Sequence, residues 1–294
     1  MKQALWFVLG TGLLLPAAAR CQIGNIVVTS AASFQPGLPA SGSIGTIFCT
    51  GLVVSGTVIA PGVPLPLSLA GVTVTVGSAG APIFAVAGLG GYEQINFQVP
   101  LEAKFNPDGT VQVVVGQNGG QGSVVVSQPV QAGDFFRIAG TQFGVFQHAL
   151  DYSLVTVDSP AKAGETIVAY ATGLPTAVPQ VATGQPAPIS PLSSVPQSGS
   201  NAMIDLTGLV VDNRTGLPSY FEGDTAGGLL FMGLTPGAVG LYQINFVLPQ
   251  GVPSGNVPIW LRRIICASGG PGFSCNSPGR THSYDSQTVL IPVR

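Results

Sequence analysis

A ten-residue string of this chain is used twice. Gly91-Tyr92-Glu93-Gln94-Ile95-Asn96-Phe97-Gln98-Val99-Pro100 returns as Gly240-Leu241-Tyr242-Gln243-Ile244-Asn245-Phe246-Val247-Leu248-Pro249, with Gly, Gln, Ile, Asn, Phe and Pro in register. An internal repeat means one building unit used more than once. Side chains of a strand alternate between two faces. Ile95, Phe97 and Val99 therefore share a face, as do Ile244, Phe246 and Leu248, while Gln94 and Asn96, like Gln243 and Asn245, point the other way. A slip of one residue would turn every apolar side chain to water, so the register is well specified. Pro100 and Pro249 lack an N–H and end each ladder. The apolar face is expected to cover a core. The amide face is expected either to be solvated and bonded to neighbouring backbone or to bind a ligand. A weaker echo pairs Thr46-Ile47-Phe48-Cys49-Thr50-Gly51-Leu52 with Ile167-Val168-Ala169-Tyr170-Ala171-Thr172-Gly173-Leu174, both apolar strands ending in Thr-Gly-Leu.

Composition narrows the class. Only 7% of the 294 residues are charged, against about 25% in ordinary soluble domains. No ionisable acid, Lys, Arg or His lies between Cys21 and Tyr92, or from Thr166 to Ile204. Disorder calls for low hydrophobicity and high net charge, the opposite bias, so a folded chain is expected. The 41 Gly and 25 Pro residues, with many Val, Thr and Ser, suit short strands joined by tight turns. A net charge of -2 offers no footprint for nucleic acid. Arg262-Arg263 is the one basic pair, expected at an exposed strand end or in a local ion pair.

Met1-Lys2 and the apolar run Ala4–Ala19 form a signal-peptide pattern, with cleavage expected near Ala19 or at Cys21. Lipidation at Cys21 is disfavoured by Arg20 before it. No later stretch holds the roughly 20 apolar residues of a membrane helix, and the chain lacks the aromatic girdles of a membrane barrel. The expected location is outside the cell or at its surface, the periplasm being the other compartment such a leader allows. In an oxidising compartment Cys266 and Cys275, flanking a turn-rich loop, are candidates for a disulfide. Cys49 reads as a buried thiol, with pairing to Cys21 the alternative.

The strand pattern predicts an all-β fold of two tandem immunoglobulin-like β-sandwich units. Residues 1–21 are the leader, 24–130 the first unit, 131–151 an aromatic-rich connector packed on one or both units, and 152–294 the second unit with an insertion at 205–225. Strands are expected at Ile26–Val28, Ile44–Thr50, Val53–Ile59, Val72–Val76, Ile83–Val86 and Tyr92–Val99. A hairpin follows around Asn118-Gly119-Gly120. Later strands are expected at Ile167–Ala171, Ile204–Val211, Leu229–Met232, Tyr242–Leu248, Pro258–Cys266 and Thr288–Val293. Pro175–Pro196 is expected to run extended over the sandwich surface or a sheet edge.

Several stretches carry a family resemblance: Ala31-Ala32-Ser33-Phe34-Gln35-Pro36-Gly37, Gly45-Thr46-Ile47-Phe48, Gln94 to Pro100, Tyr170-Ala171-Thr172-Gly173-Leu174, and Gly233-Leu234-Thr235-Pro236-Gly237 continuing to Asn245. In these the chain resembles the uncharacterised domain family found at the C-termini of Solibacter-type acidobacterial secreted proteins. The resemblance implies an extracellular immunoglobulin-like fold. It brings no established activity and no functional residues. The chain departs from the family pattern in Asp205–Thr225 and in the Cys266–Cys275 segment.

The search for chemistry is short. Gly-x-Ser-x-Gly and His-Glu-x-x-His are both absent. His148 and His282 are the only histidines and read as structural or exposed, His282 in a polar loop before the last strand. Asp205, Asp212, Glu222 and Asp224 lack the spacing of a calcium loop, and Arg214 opposes a cation, so no metal and no cofactor is expected. Tyr220 and Phe221, on the insertion, are candidates for stacking on a sugar or anchoring a partner; packing on their own sandwich is the alternative. The expected function is a non-enzymatic structural, adhesive or protein-interaction role. The alternative is a carbohydrate-binding module using Tyr220, Phe221, Gln94, Asn96, Gln243 and Asn245. A hydrolase would need Asp151, Asp158, Glu165 and Asp285 brought together.

Overall fold

The computed structural model describes residues 22–128, 133–196, 202–211, 218–222, 228–266 and 281–294. Residues 1–21, expected as a leader, and Cys275 lie outside this range, as do the side chains of residues 202–222 and 264–283. The described residues contain no helix.

The first part of the chain supplies β1 (Gly24–Ser30), β2 (Ile44–Thr50), β3 (Thr57–Ile59), β4 (Ser68–Leu69), β5 (Val72–Val76), β6 (Ala79–Ala81), β7 (Ile83–Gly88), β8 (Glu93–Gln98), β9 (Thr110–Gln117) and β10 (Gly120–Ser127). The second supplies β11 (Asp134–Phe135), β12 (Phe146–His148), β13 (Thr166–Thr172), β14 (Ala202–Val211), β15 (Pro218–Glu222), β16 (Leu229–Leu234), β17 (Tyr242–Val247), β18 (Gly255–Cys266), β19 (Thr281–Asp285) and β20 (Val289–Val293).

Four five-stranded antiparallel sheets result. One has the order β1-β2-β8-β7-β3, and a second β10-β9-β5-β4 with β6 beside β5. Between them lies a core of Ile47, Ile83, Ile95 and Phe97 from one sheet and Val72, Val74, Val76, Val111, Val113 and Val115 from the other. A third sheet runs β11-β13-β17-β16 with β12 beside β13; the fourth runs β15-β14-β18-β19 with β20 beside β18. Their shared core holds Phe135, Phe146, Ile167, Ile244 and Phe246 against Val257, Ile259, Leu261, Val289 and Ile291. The repeated strand is thus central to both cores: Ile95, Phe97 and Ile244 are fully buried and Phe246 is 1% exposed. Strict alternation in Val72-Thr73-Val74-Thr75-Val76 keeps its valines inward, as a period of two demands. The β9–β10 hairpin turns at Asn118 and Gly119, both at positive φ (50° and 79°), which suits the twist of the flanking strands.

Four expectations need correction. The stretch 131–151, expected as a connector packed on the units, also supplies strands: Asp134–Phe135 and Phe146–His148 pair with β13, and Phe135 and Phe146 are core residues. Burying two aromatic rings outweighs the polar loop signals around them. The stretch 205–225 is not simply an inserted loop, since residues 205–211 continue β14, which pairs β18 on one side and β15 on the other. Thr281–Asp285, expected as a polar loop around His282, is strand β19 on β18. Of Val53–Ile59 only Thr57–Ile59 is strand; Leu52 N and Val53 N donate instead to Glu93 Oε2 (3.0 Å) and Gln117 Oε1 (2.7 Å).

The Pro-rich segment folds back on itself, Val178 bridging Ser194, and Ser194 lies against Gly233 at the free edge of β16. Its tip docks on the first pair of sheets. Gly184 N donates to Gln98 Oε1 (2.6 Å), and Leu65 N donates to Gly184 O (2.9 Å). Thr183 Oγ1 accepts from Leu101 N (3.1 Å) and donates to Glu102 Oε2 (2.7 Å). A reciprocal pair adds to this junction: Ile44 N donates to Thr172 Oγ1 (2.8 Å), and Gly173 N to Ser43 Oγ (3.0 Å). Ser33 Oγ donates to Asp134 Oδ2 (2.6 Å). Gln98 is 4% exposed, and its Nε2 donates to Gly42 O (3.0 Å). Its counterpart in the second copy is Val247. Gln98, which the second copy replaces with an apolar residue, is therefore one of the side chains that bond the two halves together.

Candidate functional site

The amide pairs have the same geometry in both copies. Gln94 Nε2 donates to Asn96 Oδ1 at 2.9 Å, and Gln243 Nε2 to Asn245 Oδ1 at 2.9 Å. Thr46 Oγ1 also donates to Asn96 Oδ1 (3.0 Å). All four amides are half-buried. Each pair spends one donor and one acceptor internally. The Asn NH2 groups and the Gln Oε1 atoms have no protein partner among the described residues.

An aromatic side chain lies beside each Gln. Phe48 is directly opposite Gln94 across β2 and β8, and Tyr170 is opposite Gln243 across β13 and β17. Tyr170 Oη donates to Gln147 Oε1 (2.9 Å). Burial, and secondarily the nearby Tyr152, push the Tyr170 hydroxyl above its ordinary pKa.

A second aromatic stands on the rim of each sheet in a turn whose hydrogen bonds repeat. Phe34 N donates to Ser30 O (3.0 Å), as Tyr152 N does to His148 O (2.8 Å). Ser30 N donates to Gln35 O (3.1 Å), and His148 N to Ser153 O (3.0 Å). Gly37 N donates to Val28 O (3.0 Å), and Val155 N to Phe146 O (2.9 Å). Thr29 bridges Pro36, and Gln147 bridges Leu154. Within each turn a polar side chain takes the amide two residues on: Ser33 Oγ from Gln35 N (3.4 Å) and Asp151 Oδ1 from Ser153 N (2.9 Å). Both aromatics sit at positive φ, Phe34 at 56° and Tyr152 at 58°. For a bulky residue this backbone is an outlier costing about 1–3 kcal/mol. Both rings are nonetheless exposed, Phe34 by 55% and Tyr152 by 61%. In the first copy the rings run Phe34–Phe48–Tyr92 with centroids 6.0 and 5.9 Å apart. Tyr92, opposite no aromatic in the repeat, is itself 46% exposed.

The other candidates separate. Tyr220 and Phe221 are on β15, opposite Leu209 and Gly208 of β14; their side chains lie outside the described residues. The same holds for the side chain of Cys266 and for all of Cys275, so the expected disulfide is not among the described features. Cys49 is a free thiol, 1% exposed; burial, with Glu93 nearby, pushes its pKa up to about 12. Three of the four acids of the hydrolase reading are engaged by neighbouring groups. Asp151 accepts from Ser153 Oγ (2.7 Å) and its amide, which hold its carboxyl below the usual range. Asp285 pairs with Arg262 (2.7 and 3.0 Å). Glu165 takes His148 Nδ1 at Oε1 (2.5 Å) and Lys162 N at Oε2 (2.8 Å). Asp158 is exposed.

His148 also reaches Ser159, and the set Ser159–His148–Glu165 has the connectivity of a nucleophile relay. His148 Nε2 lies 3.1 Å from the Ser159 carbonyl oxygen, which only accepts, and 3.3 Å from the Ser159 hydroxyl, which can donate or accept. The cluster ties the 156–159 turn to β12. No group of three potential metal ligands occurs among the described residues. A cavity lined by Gly42, Gln98, Thr176, Gln180, Gln185 and Tyr242 at the junction has a volume of ≈ 20 Å³, room for one water molecule.

Comparison of the chain with protein-family models and with curated proteins returns no match. The site therefore rests on geometry. Sequence reasoning found Gln94, Asn96, Gln243 and Asn245 but not Phe34, Phe48, Tyr92, Tyr152 or Tyr170 as their neighbours. Ala31-Ala32-Ser33-Phe34 and Ala149-Leu150-Asp151-Tyr152 share one identical residue. The usable signal was a turn-forming Ser or Asp directly before an aromatic, just ahead of the strand that ends in Thr-Gly-Leu.

Proposed function

We propose that this chain is an exported, non-catalytic adhesive protein that works at the cell surface or in the extracellular matrix. Its scaffold in this reading is a pair of immunoglobulin-like units, bonded together through Gln98, Ser43 and Thr172 so that they act as one body. The observation that carries the reading is the pair of exposed aromatic turns at Phe34 and Tyr152. Backbone strain held in the same place in both repeats, with the ring left facing water, is a feature of contact surfaces rather than of cores. The leader pattern at Met1–Ala19 and the near absence of charge fit a role outside the cell. The resemblance to secreted acidobacterial domains points the same way.

The test is a surface-retention assay. The protein lacking its leader is labelled and incubated with intact cells and with matrix material of the organism that makes it. Saturable retention, competed by unlabelled protein, is the expected result. Recovery of all the label in the wash from both materials would contradict an adhesive role.

A further inference from the structure

We infer that the two aromatic–amide faces are equivalent binding sites for neutral polysaccharide, one formed by Phe34, Phe48, Gln94 and Asn96 and the other by Tyr152, Tyr170, Gln243 and Asn245. The inference rests on the adhesive reading and names its ligand. Sugars bury their C–H faces on aromatic rings and exchange hydrogen bonds with amides, which both donate and accept. Each face supplies both. The rings of Phe34 and Tyr152 are more than half exposed; Phe34 stacks beside Phe48 with centroids 6.0 Å apart, and the turn that carries Tyr152 adjoins β12, which pairs with the strand of Tyr170. The NH2 and Oε1 groups of the amide pairs that have no protein partner among the described residues lie one strand from Phe48 and Tyr170, which are directly opposite Gln94 and Gln243.

Charge selects among ligands. Phe34 and Phe48 of the first face lie in the stretch between Cys21 and Tyr92 that has no acid, Lys, Arg or His; Glu93, beside Gln94, is occupied by Leu52 N, and Asp134 by Ser33, next to Phe34. At the second, Asp151 is occupied by Ser153, and Glu165 by His148 and Lys162 N. None of the eight residues named for the two faces carries a charge, so they hold out no cation to an anionic polymer or a nucleic acid. A neutral chain of hydroxyl groups meets these surfaces without an unpaired charge on either side. A polymer also explains the duplication, since two weak sites on one body gain avidity on a repeating ligand.

The test uses glycine. Gly adopts the positive φ of positions 34 and 152 without strain, so Phe34→Gly and Tyr152→Gly remove the ring and keep the turn. Migration is measured in native gels containing hydroxyethyl cellulose, glucomannan or arabinoxylan, with alginate as the anionic control. Retardation by at least one neutral polymer, and none by alginate, is expected. Each single variant should bind about 3- to 10-fold more weakly, the value of one aromatic contact, and the double variant about 100-fold more weakly as avidity is lost. All three should melt within a few degrees of the parent. Free migration of the parent through every neutral gel would overturn the inference, and so would retardation unchanged in the double variant. If cells or matrix still retain the protein in either case, the adhesive reading survives and only the ligand assignment fails.

Discussion

Gln98 is a buried side chain at the junction between the two halves, and its replacement by Leu gives a worked test. The side chain is 4% exposed and makes two hydrogen bonds, from Nε2 to Gly42 O and to Oε1 from Gly184 N. Leucine has similar bulk but can make neither. Two polar backbone groups at the junction would lose their partners, at about 1–3 kcal/mol each. Apolar burial by the new side chain returns about 1–2 kcal/mol. The net loss is about 2 kcal/mol. Val247→Leu, at the matching place in β17, removes no hydrogen bond and should change stability by under about 0.5 kcal/mol. In the protein lacking residues 1–21, Trp260 is the sole tryptophan, and it lies on β18, in the half that does not contain Gln98. Urea unfolding followed by Trp260 fluorescence therefore reads whether damage at Gln98 crosses the junction. The midpoint should fall in Gln98→Leu and stay in Val247→Leu. A midpoint unmoved by Gln98→Leu would refute the claim that this side chain couples the halves.

Three further outcomes follow from buried groups. Asp134 is 6% exposed, and burial raises its pKa, opposed by Ser33 and by Gln287 N. The folded chain thus binds this proton more tightly than the unfolded one, so its contribution to stability is full below the unfolded pKa and is lost as pH rises through the folded value; Asp134→Asn should flatten that acid-range slope in urea titrations, and an unchanged slope would count against it. The Cys49 thiol, raised to about 12, should resist iodoacetamide at pH 8 and react fully in 6 M guanidinium; labelling of the native protein at a free-thiol rate would contradict its burial. A Cβ on Gly122 of β10 would overlap the Ile23 carbonyl oxygen, so Gly122→Ala should cost about 1–3 kcal/mol by thermal melt; a variant as stable as the parent would show that the backbone at Ile23, just before β1, does not approach β10 this closely.

Much of the fold was legible because its strands alternate cleanly. Ile44–Thr50 and Val72–Val76 fall where the apolar period places them, and the ridge Ile95-Phe97 with its copy Ile244-Phe246 lies in the two cores. The short strands at Asp134–Phe135 and Phe146–His148 were not legible. Two or three residues carry no measurable period, and only burial of their Phe rings in the second core defines them. β19 was missed for a related reason: Thr281-His282-Ser283-Tyr284-Asp285 looks polar throughout, yet it borders β18 and its Asp285 pairs with Arg262. The candidate site was half visible. The amides stood in the repeat itself, but their aromatic neighbours come from other strands and from turns whose likeness is in hydrogen bonding rather than in letters.

The most direct measurement is a titration of the aromatic ring signals by two-dimensional NMR, with cellohexaose and mannohexaose as separate ligands. Shifts concentrated at Phe34, Phe48, Tyr152 and Tyr170, with the core rings Phe97 and Phe246 unmoved, are the expected pattern. Spectra that stay superimposable up to millimolar sugar, or that move only at other residues, would mean that the duplicated rim does not hold saccharide.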